Sequence, residues 1–141
     1  MLQAVAGPGD TVLVGRDCHR SVLHALRLCG AEPIFLEVAR DTPVPCGPTE
    51  ETLLRAIQEH PGARALLVTR PNYYGMAMPL ADVAVSLHRN GMLLLGDEAH
   101  GAHFNLHPAF PASALASGAD LVVQSLHKTL PSPTQTAILH E

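Results

Sequence analysis

The chain has 141 residues, 47% of them hydrophobic and 16% charged, with no tryptophan; that suffices for one folded domain and is too apolar for general disorder. A formal charge of −4 with nine Lys and Arg spread thinly offers no basic stripe of the kind that binds nucleic acid. No apolar run approaches the roughly 18 residues that cross a bilayer, residues 1–10 lack a signal-peptide pattern, and three cysteines without a CxxC pair argue against a disulfide framework or zinc knuckle and for a reducing cytoplasm.

Short apolar runs alternate with helical periodicities along the chain. Residues 11–14 form a β-branched run behind a turn at Gly7, Pro8, Gly9 and Asp10. Residues 19–28 read as a helix, with Val22, Leu23, Leu26 and Leu28 on a partial stripe and Gly30 at its stop. Residues 33–38 are the next strand, and a polar, Pro-rich loop follows at residues 41–48. Thr49, Glu51 and Thr52 open a second helix to about His60, with Leu53, Leu54 and Ile57 at helical spacing. Residues 64–69 form a nearly unbroken apolar strand of the buried parallel kind. A turn at residues 70–75 leads to a helix over residues 79–90, ended by Gly91. Residues 92–96 are another apolar strand with Asp97 at its carboxyl end. A short helix over residues 113–117 precedes a strand at residues 120–124, and residues 136–139 read as one more strand. Strands alternating with helices predict an α/β fold with a mostly parallel sheet and helices on both faces. Ligands in such sheets bind beyond the carboxyl ends of the strands, where the polar clusters fall: residues 69–75, 97–103 and 125–129.

These three clusters, and a fourth at residues 17–21, carry candidate chemistry. Lys128 follows a buried strand beside Ser125, His127 and Thr129. In a partly dry pocket its ammonium form is disfavoured, and the free amine can form a Schiff base; Ser125, His127 and Thr129 offer donors for a phosphate. A surface lysine in a loop is the plain alternative. Asp97 ends its strand where a carboxylate needs a partner, and a protonated pyridine nitrogen is one such partner. His100, three residues on, can face the same pocket. A metal site has no supporting HExxH, third histidine or cysteine pair, and the helicase reading of Asp97-Glu98-Ala99-His100 fails for want of a GxxxxGK[ST] loop. An ordinary strand-end network remains open. His19 could stack on a planar ligand, although Asp17 and Ser21 equally suit helix capping. Tyr73 and Tyr74 could line a pocket wall or simply pack.

The stretches DCHRSVLHAL (residues 17–26), NYYG (72–75), GDEAHGAHFNLHP (96–108) and GADLVVQSLHKTLPSPTQTAILH (118–140) resemble, in order and over nearly the whole chain, the major domain of the Orn/Lys/Arg decarboxylase family. The resemblance implies a three-layer α/β/α, fold type I (aspartate-aminotransferase-like) domain binding pyridoxal 5'-phosphate. It implies that Lys128 holds the cofactor as a Schiff base, that Asp97 pairs with the pyridine nitrogen, and that His100 lies near the phenolic oxygen. Ser125 and His127 would help bind the phosphate, and His19 would stack on the ring. The implied reaction is decarboxylation of arginine, lysine or ornithine by a cytoplasmic homo-oligomer. Other fold type I chemistry (aminotransferase or lyase) and an inactive remnant are the alternatives. Leu126 departs from the Thr usual in the family. The phosphate loop that normally precedes residues 2–10 and the small carboxyl-terminal domain have no counterpart here, so residues 1–141 are expected to be a partial major domain within a larger enzyme.

Overall fold

A computed structural model of the chain describes residues 1–39 and 43–141. The first residues of the expected loop, Asp41 and Thr42, lie outside the described residues. Six strands, β1 (Thr11–Gly15), β2 (Glu32–Leu36), β3 (Ala65–Thr69), β4 (Leu93–Asp97), β5 (Leu121–Ser125) and β6 (Ala137–His140), form one sheet in the order β2-β1-β3-β4-β5-β6. The pairings from β2 through to β5 are parallel, and β6 runs antiparallel to β5. The helices are α1 (Leu2–Val5), α2 (Arg20–Cys29), α3 (Glu50–Glu59), α4 (Ala81–Arg89) and α5 (Leu126–Thr129).

Strand alternation sends each central strand's side chains into two separate cores. Val12, Val14, Leu67 and Leu95 meet Leu2 of α1 and Val22 and Leu26 of α2 on one face. Leu13, Leu66, Val68 and Leu94 meet Leu53 and Ile57 of α3 and Val83 and Leu87 of α4 on the other. The three-layer arrangement is therefore the expected one. Each fully buried Leu or Val contributes on the order of 1.5–3 kcal/mol of transfer free energy.

The helix ends follow local chemistry. Thr49 Oγ1 accepts from the Thr52 amide at 3.1 Å, capping α3. Gly30, at φ 74°, donates its amide to Leu26 O and closes α2 in the left-handed conformation that glycine tolerates. Two expectations need correction. Residues 113–117 make a single turn rather than a helix: Ser113 Oγ caps it by accepting from the Ala116 amide at 3.2 Å, the Ser117 amide donates to Ser113 O at 3.0 Å, and Gly118 at φ 94° ends it. The cap of α2 is His19, whose Nδ1 accepts from the Ser21 amide at 3.3 Å, rather than Asp17 or Ser21. Among the described residues no helix is long and apolar enough to cross a membrane.

Candidate functional site

The strand order reverses at β1, which has β2 on one side and β3 on the other. At such a switch point the crossovers diverge and leave a crevice beyond the carboxyl ends. Arg16 to His19 leave β1 there, Arg70 and Asn72 leave β3, and the segment from Glu98 leaves β4. Asn72 is buried and ties the rim together. Its Nδ2 donates to Pro45 O at 3.0 Å and to Asp17 Oδ2 at 3.4 Å, and its Oδ1 accepts from the amides of Tyr74 and Met76. Burial pushes the Asp17 carboxyl above its ordinary range, against the bond from Asn72.

Asp97 is the last residue of β4 and is 7% exposed. It opens onto a cleft of about 330 Å³ walled by Leu67 and Val123 of the sheet and Ser21, Val22 and Ala25 of α2. Its Oδ1 accepts from the Ala99 amide at 3.3 Å. A larger cleft of about 780 Å³ lies among Arg16, Asp17, Glu37, Val38 and Pro45. The smaller one combines an apolar wall with the buried carboxylate, as a site for a planar, partly charged ligand requires.

Of the sequence-predicted residues, Asp97 lines this cleft, and Asp97, His19 and Lys128 lie near enough to His100 to act on its charge. Burial pushes the His100 pKa below its ordinary 6.5; the Lys128 charge and that of His19 act the same way, and Asp97 opposes them. All three charged groups therefore lie within electrostatic reach of one imidazole. Cys18 lies between Asp17 and Asp97: burial first, then both carboxylates, push its thiol up, which makes it a poor nucleophile at neutral pH. Tyr73 meets His100 edge-on, with ring centroids 6.3 Å apart. Ser125 ends β5 and begins α5, the single turn that carries His127 and Lys128. The carbonyl of Thr136 accepts from both Leu126 N at 2.9 Å and His127 Nδ1 at 3.0 Å, fixing this turn against the approach to β6. Lys128 is exposed rather than in the partly dry pocket expected for it, because α5 lies toward the open edge of the sheet. Composition adds a point: Lys128 is the only lysine in the sequence. The other basic side chains are arginines, whose guanidinium cannot do amine chemistry.

One group escaped the motif reading. Glu98, wholly buried, faces away from Asp97 and accepts from Ala114 N at 2.7 Å, Gln124 Nε2 at 2.6 Å and Arg70 Nη1 at 3.5 Å. The signal available was the alternation itself. A second carboxylate directly after Asp97 must point to the opposite face, and Arg70 stands at the matching end of the neighbouring strand.

Residues 1–141 match the family profile described as Orn/Lys/Arg decarboxylase, major domain. The uncharacterized protein YaaO of Bacillus subtilis is 47% identical over 99% of this chain and 30% of its own length. An arginine decarboxylase of the same organism is 40% identical over 99% of this chain and 29% of its own length. The solved structure of ureidoglycine-glyoxylate aminotransferase from Bacillus subtilis superposes with a TM-score of 0.78 at 17% identity, over 97% of this chain and 34% of that one. The chain thus spans about 30% of the length of the curated relatives it matches. On this footing the chain belongs to the Orn/Lys/Arg decarboxylase family, and its sheet and helices are those of the fold type I major domain.

Proposed function

We propose that this chain is the pyridoxal-phosphate-binding part of an enzyme that decarboxylates a basic amino acid, with Lys128 as the residue that holds the cofactor. The observation that carries the reading is that the only lysine in the sequence follows β5 at its carboxyl end, within electrostatic reach of the imidazole it shares with Asp97. The donor set fits the group. A buried carboxylate at the mouth of an apolar cleft suits a cationic aromatic nitrogen, and hydroxyl and imidazole donors at Ser125 and His127 suit a phosphate. When bound, pyridoxal phosphate supplies an aldehyde that links to amines and a protonated ring that accepts the electron pair released as a carboxylate leaves.

The chain's own residues divide that work. Asp97, its carboxylate oriented by the Ala99 amide, would pair with the ring nitrogen and favour its protonated form. His19 offers a ring face, held in place by its Nδ1 accepting from the Ser21 amide. His127 commits Nδ1–H to Thr136 O, so beside Ser125 it would donate to the phosphate through Nε2 only as the imidazolium, in which both ring nitrogens carry protons. His100 would lie near the phenolic oxygen, where a largely neutral imidazole could donate or accept. Lys128 would supply the primary amine that anchors the cofactor and, once displaced by the substrate amine, could return a proton to the α-carbon that has lost its carboxylate. The relative named arginine decarboxylase favours a substrate among arginine, lysine and ornithine. The same reading takes the protein as a cytoplasmic homo-oligomer, and three cysteines without a CxxC pair suit a reducing compartment.

The test is to add pyridoxal phosphate, trap the link with borohydride and map the labelled peptide. Besides Lys128, the amino terminus carries the only other amine able to react. Label on Lys128, lost in Lys128→Ala, is the expected result. Label confined to the amino terminus in both proteins would sink the reading. Carbon dioxide release from each of the three basic amino acids then sorts the substrate.

A further inference from the structure

Regular pairing of β4 stops at Asp97, which lies opposite Thr69 of β3 and Val123 of β5. A residue at a strand end frays unless something else fixes it, yet a carboxylate that must meet a ring nitrogen has to be held to about 0.5 Å. Backbone bonds extend the sheet by one residue here. The Arg70 amide donates to Asp97 O at 2.9 Å, and the Glu98 amide donates to Val123 O at 2.9 Å. On the face opposite the cleft, the Glu98 carboxylate receives Arg70 from the β3 side and Gln124 from β5. Arg70 is itself anchored by donating to Met78 O and, at 2.8 Å, to Ala112 O. Gln124 Oε1 accepts from His140 Nε2 of β6 at 3.1 Å. The Glu98 carboxylate is the central acceptor of this network, and Arg70, Gln124 and His140 tie the ends of β3, β5 and β6 to it directly or through one another.

We propose that Arg70, Glu98 and Gln124 form a buried clamp that fixes the backbone of residues 97–99 and thereby aims the Asp97 carboxylate, making Glu98 a positioning residue for the site. A buried ion pair is a poor way to gain stability, since apolar side chains of the same volume do as well. It does define a geometry, because the carboxylate satisfies its donors in only one arrangement. Glu98 acts from behind the sheet, through the peptide it shares with Asp97. The turn beyond it is built on the same residue, with the Gly101 amide donating to Glu98 O at 2.9 Å. The inference rests on the role given to Asp97 above, but its geometric part can be read without cofactor.

The Ala99 amide, bonded to Asp97 Oδ1, reports the carboxylate's direction. Hydrogen exchange at that amide is measured in the cofactor-free 141-residue chain, relative to the Leu95 amide in mid-strand, for wild type, Glu98→Gln and Gln124→Leu. His88→Ala is the control: it breaks a side-chain bond outside the clamp, the exposed His88 Nε2 to Asp120 Oδ2 at 3.0 Å, at the other end of β4. The clamp requires Ala99 to exchange about tenfold or more faster relative to Leu95 in both clamp variants and not in the control. It also requires pyridoxal phosphate to bind about tenfold more weakly to the clamp variants alone. An unchanged Ala99-to-Leu95 ratio in both, or an equal rise in His88→Ala, overturns the clamp. If Glu98→Gln does not fold, the milder Gln124→Leu decides by the same ratio. Failure of the wild-type chain to bind cofactor would remove the proposed function, while the exchange ratio still decides the clamp.

Discussion

Gly101 is where a single methyl group should do measurable harm. A Cβ there would lie 2.5 Å from Glu98 Cγ, 2.8 Å from Pro71 Cδ and 3.2 Å from Glu98 Cδ, whereas non-bonded carbons settle at about 3.5–4.0 Å. Neither neighbour yields easily: Pro71 is a ring, and the Glu98 carboxylate is held by Arg70, Ala114 and Gln124. Overpacking of this kind costs about 1–3 kcal/mol. Replacing glycine also restricts the unfolded chain, which offsets about 0.4–1 kcal/mol. Gly101→Ala should therefore lose about 1–2 kcal/mol net. In equilibrium urea unfolding that is a midpoint lowered by about 0.5–1 M with an unchanged slope. Gly62→Ala is the matched control, since nothing lies within 4 Å of a Cβ at that position, and its midpoint should hold or rise slightly. A Gly101→Ala midpoint at or above wild type, or an equal drop in Gly62→Ala, would refute the packing argument.

Two further outcomes are expected. Leu66, 0% exposed at the centre of the sheet, should cost about 2.7–5 kcal/mol when cut to alanine, whereas Leu28, 75% exposed, should cost about 0.5 kcal/mol or less; chemical denaturation of both variants checks the contrast. His100 has its folded pKa pushed below 6.5 by burial first and by Lys128 next, so as pH falls below 6.5 the unfolded chain takes up a proton that the folded chain refuses. Its contribution is present above that pH and is lost as pH falls toward the depressed value. The difference in urea midpoint between wild type and His100→Asn, followed from about pH 7.5 down to pH 5.5, should shift against wild type, and parallel curves would count against the assignment.

Much of this architecture was legible because period and burial agree. The apolar runs that become β3 and β4 have buried neighbours on both faces, so no alternation confuses them, and Thr49 and Gly30 mark helix ends by side-chain chemistry and by φ. Asp97 and Lys128 stood out because each follows an apolar strand, where a charge needs a reason. What escaped was set by partners far along the chain. Nothing near Glu98 in sequence announces Arg70 or Gln124, and the cap on α2 went to His19 because its Nδ1 reaches the Ser21 amide. The two four-residue helices, α1 and α5, are too short to leave a periodic signature. The expected dryness around Lys128 failed for a related reason: the strand beside it, β6, is exposed at Ala137, Ile138 and Leu139.

The reversal of strand order at β1 also has a kinetic side. The β3–α4–β4 and β1–α2–β2 units each close over one crossover helix, but the seam between them pairs Val12 with Ala65 and Val14 with Leu67, across all of β2 and α3. Loop closure of that length carries an entropic cost before any contact repays it. The seam should therefore be the late-forming part of the sheet, zipped once both units exist. Its rim joins Asp17 to Asn72, one residue from each unit, so a molecule lodged in that crevice would act as a rivet between two separately assembled halves. Ligand would then slow unfolding far more than it speeds folding, because the contact it makes is absent until the last step.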